Sequence, residues 1–131
     1  MGNVETVKEI YAAFGRGDIA AILGRLAEDV RWDAELDVPG VPWLQPRRGR
    51  RNIPAFFESL APMQFTRFEP HTFFREGNQV LSLVHIEATV HGKQYRIRNE
   101  GHLWTFDAGG TIVDFEHVTD TAVHQRMARG E

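Results

Sequence analysis

Apolar positions recur every three and four residues from the start of the chain. Val4, Val7, Ile10, Tyr11 and Phe14 share one stripe, with Glu5, Lys8 and Glu9 outside it. That spacing predicts an amphipathic helix over residues 3–14, capped by Asn3 and stopped by Gly15-Arg16-Gly17. Asp18 caps a second short helix that turns Ile19, Ile22, Leu23 and Leu26 inward. Beyond Asp29 the period changes to two: Val30, Trp32, Ala34 and Leu36 alternate with Arg31, Asp33, Glu35 and Asp37, as in a half-buried strand. Pro39, Pro42 and Pro46 interrupt regular structure, and a third helix over residues 52–60 collects Ile53, Phe56, Phe57 and Leu60 on one side. Four strands follow, over residues 65–75, 80–91, 94–106 and 111–119, separated by EGN, HGK and DAGG turns. A terminal helix begins at Asp120. Helices first and a meandering sheet afterwards define an α+β domain over residues 1–131, with a pocket between its layers.

Composition narrows the function classes. Fifteen Lys and Arg against 18 Asp and Glu give a net charge of −3, which excludes a binder held to nucleic acid mainly by phosphate contacts. The absence of cysteine removes disulfides, thiolate metal sites and thiol nucleophiles. No apolar run is long enough to span a membrane, and the opening MGNVETVKEI lacks the regions of a secretory signal, so a cytoplasmic domain is expected.

Several stretches are similar to the SnoaL-like proteins: Tyr11-Ala-Ala-Phe-Gly-Arg-Gly-Asp18, Leu26-Ala-Glu-Asp-Val-Arg-Trp32, and Arg48-Gly-Arg ahead of a Phe-Phe helix. The closing strands, His102-Leu-Trp-Thr-Phe-Asp-Ala-Gly-Gly-Thr-Ile and Phe115-Glu-His-Val-Thr-Asp-Thr121, follow the same pattern. The resemblance covers nearly the whole chain and points to the nuclear transport factor 2-like superfamily, which includes ketosteroid isomerase, limonene epoxide hydrolase and polyketide cyclases. It implies a cystatin-like cone: a curved antiparallel or mixed sheet wrapped with three helices around an apolar cavity. It also implies a homodimer formed through the sheet. One such scaffold hosts many chemistries. The isomerase's phenolic donor falls on Ile10, one step from Tyr11; its general-base aspartate falls on Ala34, with Asp33 and Glu35 pointing the other way; its second acid falls on His102. Steroid isomerisation by that route is therefore not expected. The epoxide hydrolase's Asp-Arg-Asp arrangement is not recognisable. The lone cavity acid/base of SnoaL-type cyclases has its nearest equivalent in His102.

Strand parity supplies the candidate chemistry. A four-residue DAGG loop sets Phe106 opposite Thr111, Trp104 opposite Val113, His102 opposite Phe115 and Glu100 opposite His117. Glu100, His102 and His117 then share the face of Trp104 and Phe115, and form the expected catalytic group: a histidine acid/base oriented by a carboxylate. A Gly92-Lys93 turn would add His85 opposite Glu100 and Glu87 opposite Arg98. A bulge within residues 94–99 would instead turn Val80, Val84, Ile86, Ala88 and Val90 inward and expel His85 and Glu87. The bland alternative is a structural pair or a dimer contact. A three-histidine metal site of His85, His102 and His117 is conceivable, but no HExxH motif is present, so no metal and no cofactor are expected.

The cavity lining is expected from Tyr11, Phe14, Trp32, Ala34, Phe56, Trp104 and Phe115. Trp43, in the proline-rich loop, is either a lid or a plug. The run from Arg47 to Arg51 precedes a helix and could attract an anion or an RNA or protein partner, yet reads more simply as a solvated loop pairing with Asp33, Glu35 or Asp37. The expected partner is a small apolar or polyketide-like molecule, with no nucleic acid and no membrane. The expected function is cofactor-free isomerase, cyclase or lyase chemistry; the alternative is a non-catalytic ligand-binding or dimerising accessory module.

Overall fold

Six strands and four α-helices are arranged as a single curved sheet with the helices packed on one face, in a computed structural model that describes residues 2–131. The helical corner comes first: α1 (Asn3–Gly15) and α2 (Ile19–Leu23) meet at the Arg16-Gly17 turn. Asn3 lies inside α1 rather than capping it, and no side chain caps that end. Asp18 does cap α2, accepting the Ala21 N–H at 3.1 Å.

Strand β1 (Leu26–Trp32) begins earlier than its period-two pattern, taking Leu26 out of the second helix. It also ends earlier, because Asp33 adopts a left-handed backbone (φ 53°), a conformation that short polar residues tolerate best. Ala34 is therefore not a strand residue and is solvent-exposed, so it does not line the cavity. The chain crosses the proline-rich loop to the two-residue strand β2 (Arg47–Arg48), a turn of 3₁₀ helix and α3 (Ile53–Ser59).

The long strands β3 (Met63–Glu76), β4 (Gln79–Val90), β5 (Lys93–Phe106) and β6 (Ile112–Val118) form an antiparallel meander. Strand β6 then pairs in parallel with β1, so the sheet is mixed, with order β2-β1-β6-β5-β4-β3. The terminal helix α4 (Thr121–Arg129) is capped by Asp120 through the Ala122 and Val123 N–H groups.

Two register details decide which side chains face the helices. The β4–β5 turn is His91-Gly92, both at positive φ, as a two-residue hairpin requires, rather than Gly92-Lys93. The register then shifts between Ile86↔Ile97 and Val84↔Glu100, which is the bulge alternative. Val80, Val84, Ile86, Ala88 and Val90 are buried in the core, while His85 and Glu87 turn to the outer face. The final hairpin is offset by two residues from a four-residue loop: Trp104 pairs Phe115 and His102 pairs His117. Phe106 already pairs Ile112 instead of Thr111, the irregularity between Thr105↔Asp114 and Phe106↔Ile112 adds the second residue, and Ile112 rather than Val113 turns into the core. A two-residue offset keeps parity, so Glu100, His102 and His117 remain on the inner face.

Candidate active site

The helices and the inner face of the sheet line a partly open cavity of about 70 Å³. Tyr11, Phe14, Trp32, Phe56, Trp104 and Phe115 all line it, as do Glu100, His102 and His117. Trp43 does too, buried rather than forming a movable cover.

Glu100 lies at the centre of a closed hydrogen-bond network. Its Oε1 accepts from His124 Nε2 at 2.5 Å and from Thr119 Oγ1 at 2.9 Å, while Oε2 faces His102 Nε2 at 3.3 Å. Trp43 Nε1, which can only donate, points at His124 Nδ1 at 2.8 Å. His124 must therefore carry its proton on Nε2 and give it to Glu100. At the far end the direction is set by Glu100, which can only accept and so keeps the His102 proton on Nε2. Trp104 Nε1 donates to Ser82 Oγ at 3.2 Å; Ser82 Oγ lies 2.5 Å from Tyr11 Oη, which lies 2.6 Å from His102 Nδ1. The consistent assignment runs Trp104 to Ser82 to Tyr11 to His102 Nδ1, leaving the His102 proton on Nε2 facing Glu100. Two indoles thus start two donor chains that both end on one ionised carboxylate.

The electrostatics follow from this geometry. Burial alone would raise the Glu100 pKa, but the hydrogen bonds from His102 and His124 outweigh it and hold the carboxyl well below its ordinary range. Burial lowers the His102 pKa despite Glu100, and raises that of the Tyr11 phenol.

His117 belongs to a separate pair. Its partner is not Glu100 but Asp33, which is fully buried and takes the His117 main-chain N–H on Oδ1 (2.7 Å) and the ring Nδ1–H on Oδ2 (2.8 Å). Burial of His117 is outweighed by this partner, so its pKa is raised. Nδ1 being engaged, Nε2 is the nitrogen left with no hydrogen bond. The His102 and His117 rings stand perpendicular with centroids 5.2 Å apart. Trp32 Nε1 is also buried with no partner.

Parity reasoning assigned Asp33 to the opposite face from Trp32. The left-handed turn at Asp33 overrides parity and turns both inward. His124, Thr119 and Ser82 were also missed: the pairing that was read stopped at His117, and neither Ser82 nor His124 lies on that hairpin. The only signal for His124 was its place four residues after the Asp120 cap. On the outer face, His85 pairs with Glu87 (2.9 Å), which binds Arg67 (3.3 Å), so His85 cannot join a three-histidine cluster. The arginine loop does not pair with Asp33, Glu35 or Asp37. Arg47 donates to the Pro42 carbonyl and Arg50 to that of Leu26.

The chain belongs to the SnoaL-like domain family, whose model matches residues 7–115. It is similar over 98% of both chains to a nuclear transport factor 2-like protein of unknown function from Burkholderia pseudomallei, at 29% identity and a TM-score of 0.83. Another nuclear transport factor 2-like protein, from Burkholderia thailandensis, matches at 28% identity over 94% of each chain, with a TM-score of 0.79. TerC, crystallised with polyporic acid, shares the fold at 22% identity and a TM-score of 0.83, over 97% of this chain and 98% of TerC. No curated protein sequence matches the chain.

Proposed function

We propose that this protein binds a small, largely apolar molecule and transfers a proton on it, as an isomerase, cyclase or lyase, with His117 as the acid/base and no cofactor in that role. The observation carrying the reading is the Asp33–His117 pair: one buried carboxylate fixes both the backbone and Nδ1 of a histidine whose Nε2 is free beside a cavity. Orientation by a carboxylate on Nδ1 makes Nε2 a base when neutral and an acid when protonated. A neutral Nε2 takes a proton from carbon next to a carbonyl; the electron pair moves onto the carbonyl oxygen as an enolate. The proton then returns at another carbon or at oxygen. The unpaired Trp32 N–H suits that oxygen, since a buried donor without a partner costs about 1–3 kcal/mol. Glu100, with His102 and His124, is the neighbouring fixed charge rather than the orienting group for His117.

The reading is tested by proton exchange in D₂O, followed by NMR, across a panel of cyclic and conjugated ketones. A member of the panel should incorporate deuterium with the wild-type protein, and His117→Asn should reduce the rate by roughly 10²-fold or more. Equal exchange rates for wild type and variant would overturn it.

One observation favours the second reading, a ligand-binding or dimerising accessory module. A cavity of about 70 Å³ is below the roughly 300–1,000 Å³ usual for ligand sites. Under that reading ligands raise the melting temperature, His117→Asn leaves affinity unchanged, and no exchange occurs. For assembly we infer a homodimer through the outer sheet face, where Phe74, Leu81, Leu103 and Val118 stand on adjacent strands and Phe74 and Val118 are more than half exposed. Sedimentation of Val118→Lys against wild type tests it; a monomeric wild type would refute it.

A further inference from the structure

We propose that Glu100, His102 and His117 bind one borderline divalent transition-metal cation, Zn²⁺ or an ion of similar preference, with an open coordination position toward the cavity. One donor atom from each of the three lies within 4.8 Å of the other two. Two imidazoles and a carboxylate suit zinc-like ions and not Mg²⁺ or Ca²⁺, which select all-oxygen sites.

The atoms on the far side of each residue are already held. His117 Nδ1 is fixed by Asp33, His102 Nδ1 by Tyr11, and Glu100 Oε1 by His124 and Thr119. That leaves His117 Nε2, His102 Nε2 and Glu100 Oε2. Metal-binding histidines characteristically have the second ring nitrogen bonded to a carboxylate, carbonyl or other fixed group, which sets tautomer and ring plane. Here both do.

The spacing agrees. Glu100 Oε2 and His102 Nε2 are 3.3 Å apart, long for an imidazole–carboxylate hydrogen bond; the other three such contacts measure 2.9, 2.8 and 2.5 Å. A tetrahedral ion with bonds of about 2.0–2.1 Å separates its ligand atoms by about 3.3–3.4 Å. Charge agrees as well. Two buried carboxylates, Glu100 and Asp33, meet three imidazoles of which two are neutral by their partners, and a dication balances them.

The hydrogen-bond network can accommodate the ion by giving up only the His102 Nε2–Glu100 Oε2 contact, which the two metal bonds replace. His102 moves its proton from Nε2 to Nδ1 and remains neutral. Tyr11 then accepts from Nδ1 and donates to Ser82, and Ser82 turns its proton from Tyr11 to the His102 carbonyl, 3.3 Å away. Trp104 still donates to Ser82. This inference goes beyond the acid–base reading: His117 Nε2 can hold a proton or the cation, not both.

The test is Co²⁺ and Zn²⁺ titration of chelator-treated full-length protein. The expected result is one ion per chain, with the intense visible absorption of four-coordinate Co²⁺. His117→Gln should weaken binding at least 100-fold and Asp33→Asn roughly 10–100-fold. His85→Asn, on the outer face, should leave it unchanged. If the buried variants do not fold, histidine ¹⁵N spectra of the wild type decide: saturating Zn²⁺ must move the His102 proton from Nε2 to Nδ1. Binding that survives His117→Gln, or histidine spectra that Zn²⁺ leaves unaltered, would overturn the proposal. Deuterium exchange by the chelator-treated protein is read separately, so failure here leaves the acid–base reading standing, and the reverse.

Discussion

Asp33 holds His117 twice, through the main-chain N–H at 2.7 Å and the ring Nδ1 at 2.8 Å, from a backbone turned to φ 53° at the end of β1. The two contacts use both carboxylate oxygens, so the ring can neither rotate nor change tautomer without losing a charge-assisted bond. Asp33→Asn keeps the oxygen for the main-chain N–H but presents an NH₂ to Nδ1. The ring must then accept there and carry its proton on Nε2, the wrong form for a base. The His117 pKa, raised by the wild-type carboxylate, should fall in the variant, as checked by an NMR titration of the ring proton beside the two nitrogens. An unchanged midpoint would show that Asp33 does not govern His117.

The buried histidines and Glu100 set opposing pH dependences of stability. Glu100, held well below its ordinary value, stabilises fully above about pH 4.5 and loses that contribution as pH falls through its folded pKa. His102, lowered by burial, is destabilising on acidification from about pH 6.5, because the unfolded chain takes the proton first. His117, raised by Asp33, has the opposite sign: its contribution is complete below about pH 6.5 and is lost as pH rises through the folded value. As pH falls from 8 to about 6.5, His117→Asn should therefore lose stability more steeply than wild type, by up to about 1.4 kcal/mol per pH unit, and run parallel to it from there to pH 5. Urea unfolding across that range measures the slope. A shallower slope in the variant would reverse the assignment.

The element order, the cap at Asp18 and the cap at Asp120 were legible because each depends on residues within a few positions of one another. The inward face of β5 and β6 was legible too, since parity survives a two-residue slide. Exact register was not, because the irregularities beside Phe106 and near Ile86 depend on how the sheet curves over its core rather than on local sequence. The partner of His117 was lost for a related reason: one left-handed residue at Asp33 cancels the alternation on which the reading of β1 relied. His124 comes from a helix 24 residues beyond Glu100, a distance no periodicity bridges.

Gly101 separates Glu100 from His102 and lets β6 approach closely. A Cβ there would lie 2.9 Å from the Val118 carbonyl oxygen and 3.0 Å from the Val118 Cβ. Neither is the flexible end of a side chain, so Gly101→Ala must displace strand backbone. The expected cost is about 1–3 kcal/mol in urea unfolding. Unchanged stability would mean that β6 can move away freely.

Tyr11 is the link between α1 and the sheet network. Its hydroxyl joins His102 Nδ1 and Ser82, and its ring stacks on His102 with centroids 5.8 Å apart. Tyr11→Phe keeps the ring and removes the hydroxyl. Ser82 has a second acceptor in the His102 carbonyl at 3.3 Å, so its proton is not stranded. His102 Nδ1 has no such substitute, and a buried acceptor left bare costs about 1–3 kcal/mol. The variant should lose that amount in urea unfolding. The His102 ¹⁵N spectrum should retain its proton on Nε2, since Glu100 alone then fixes the tautomer. A proton found on Nδ1 in Tyr11→Phe would show that Glu100 does not fix the His102 tautomer.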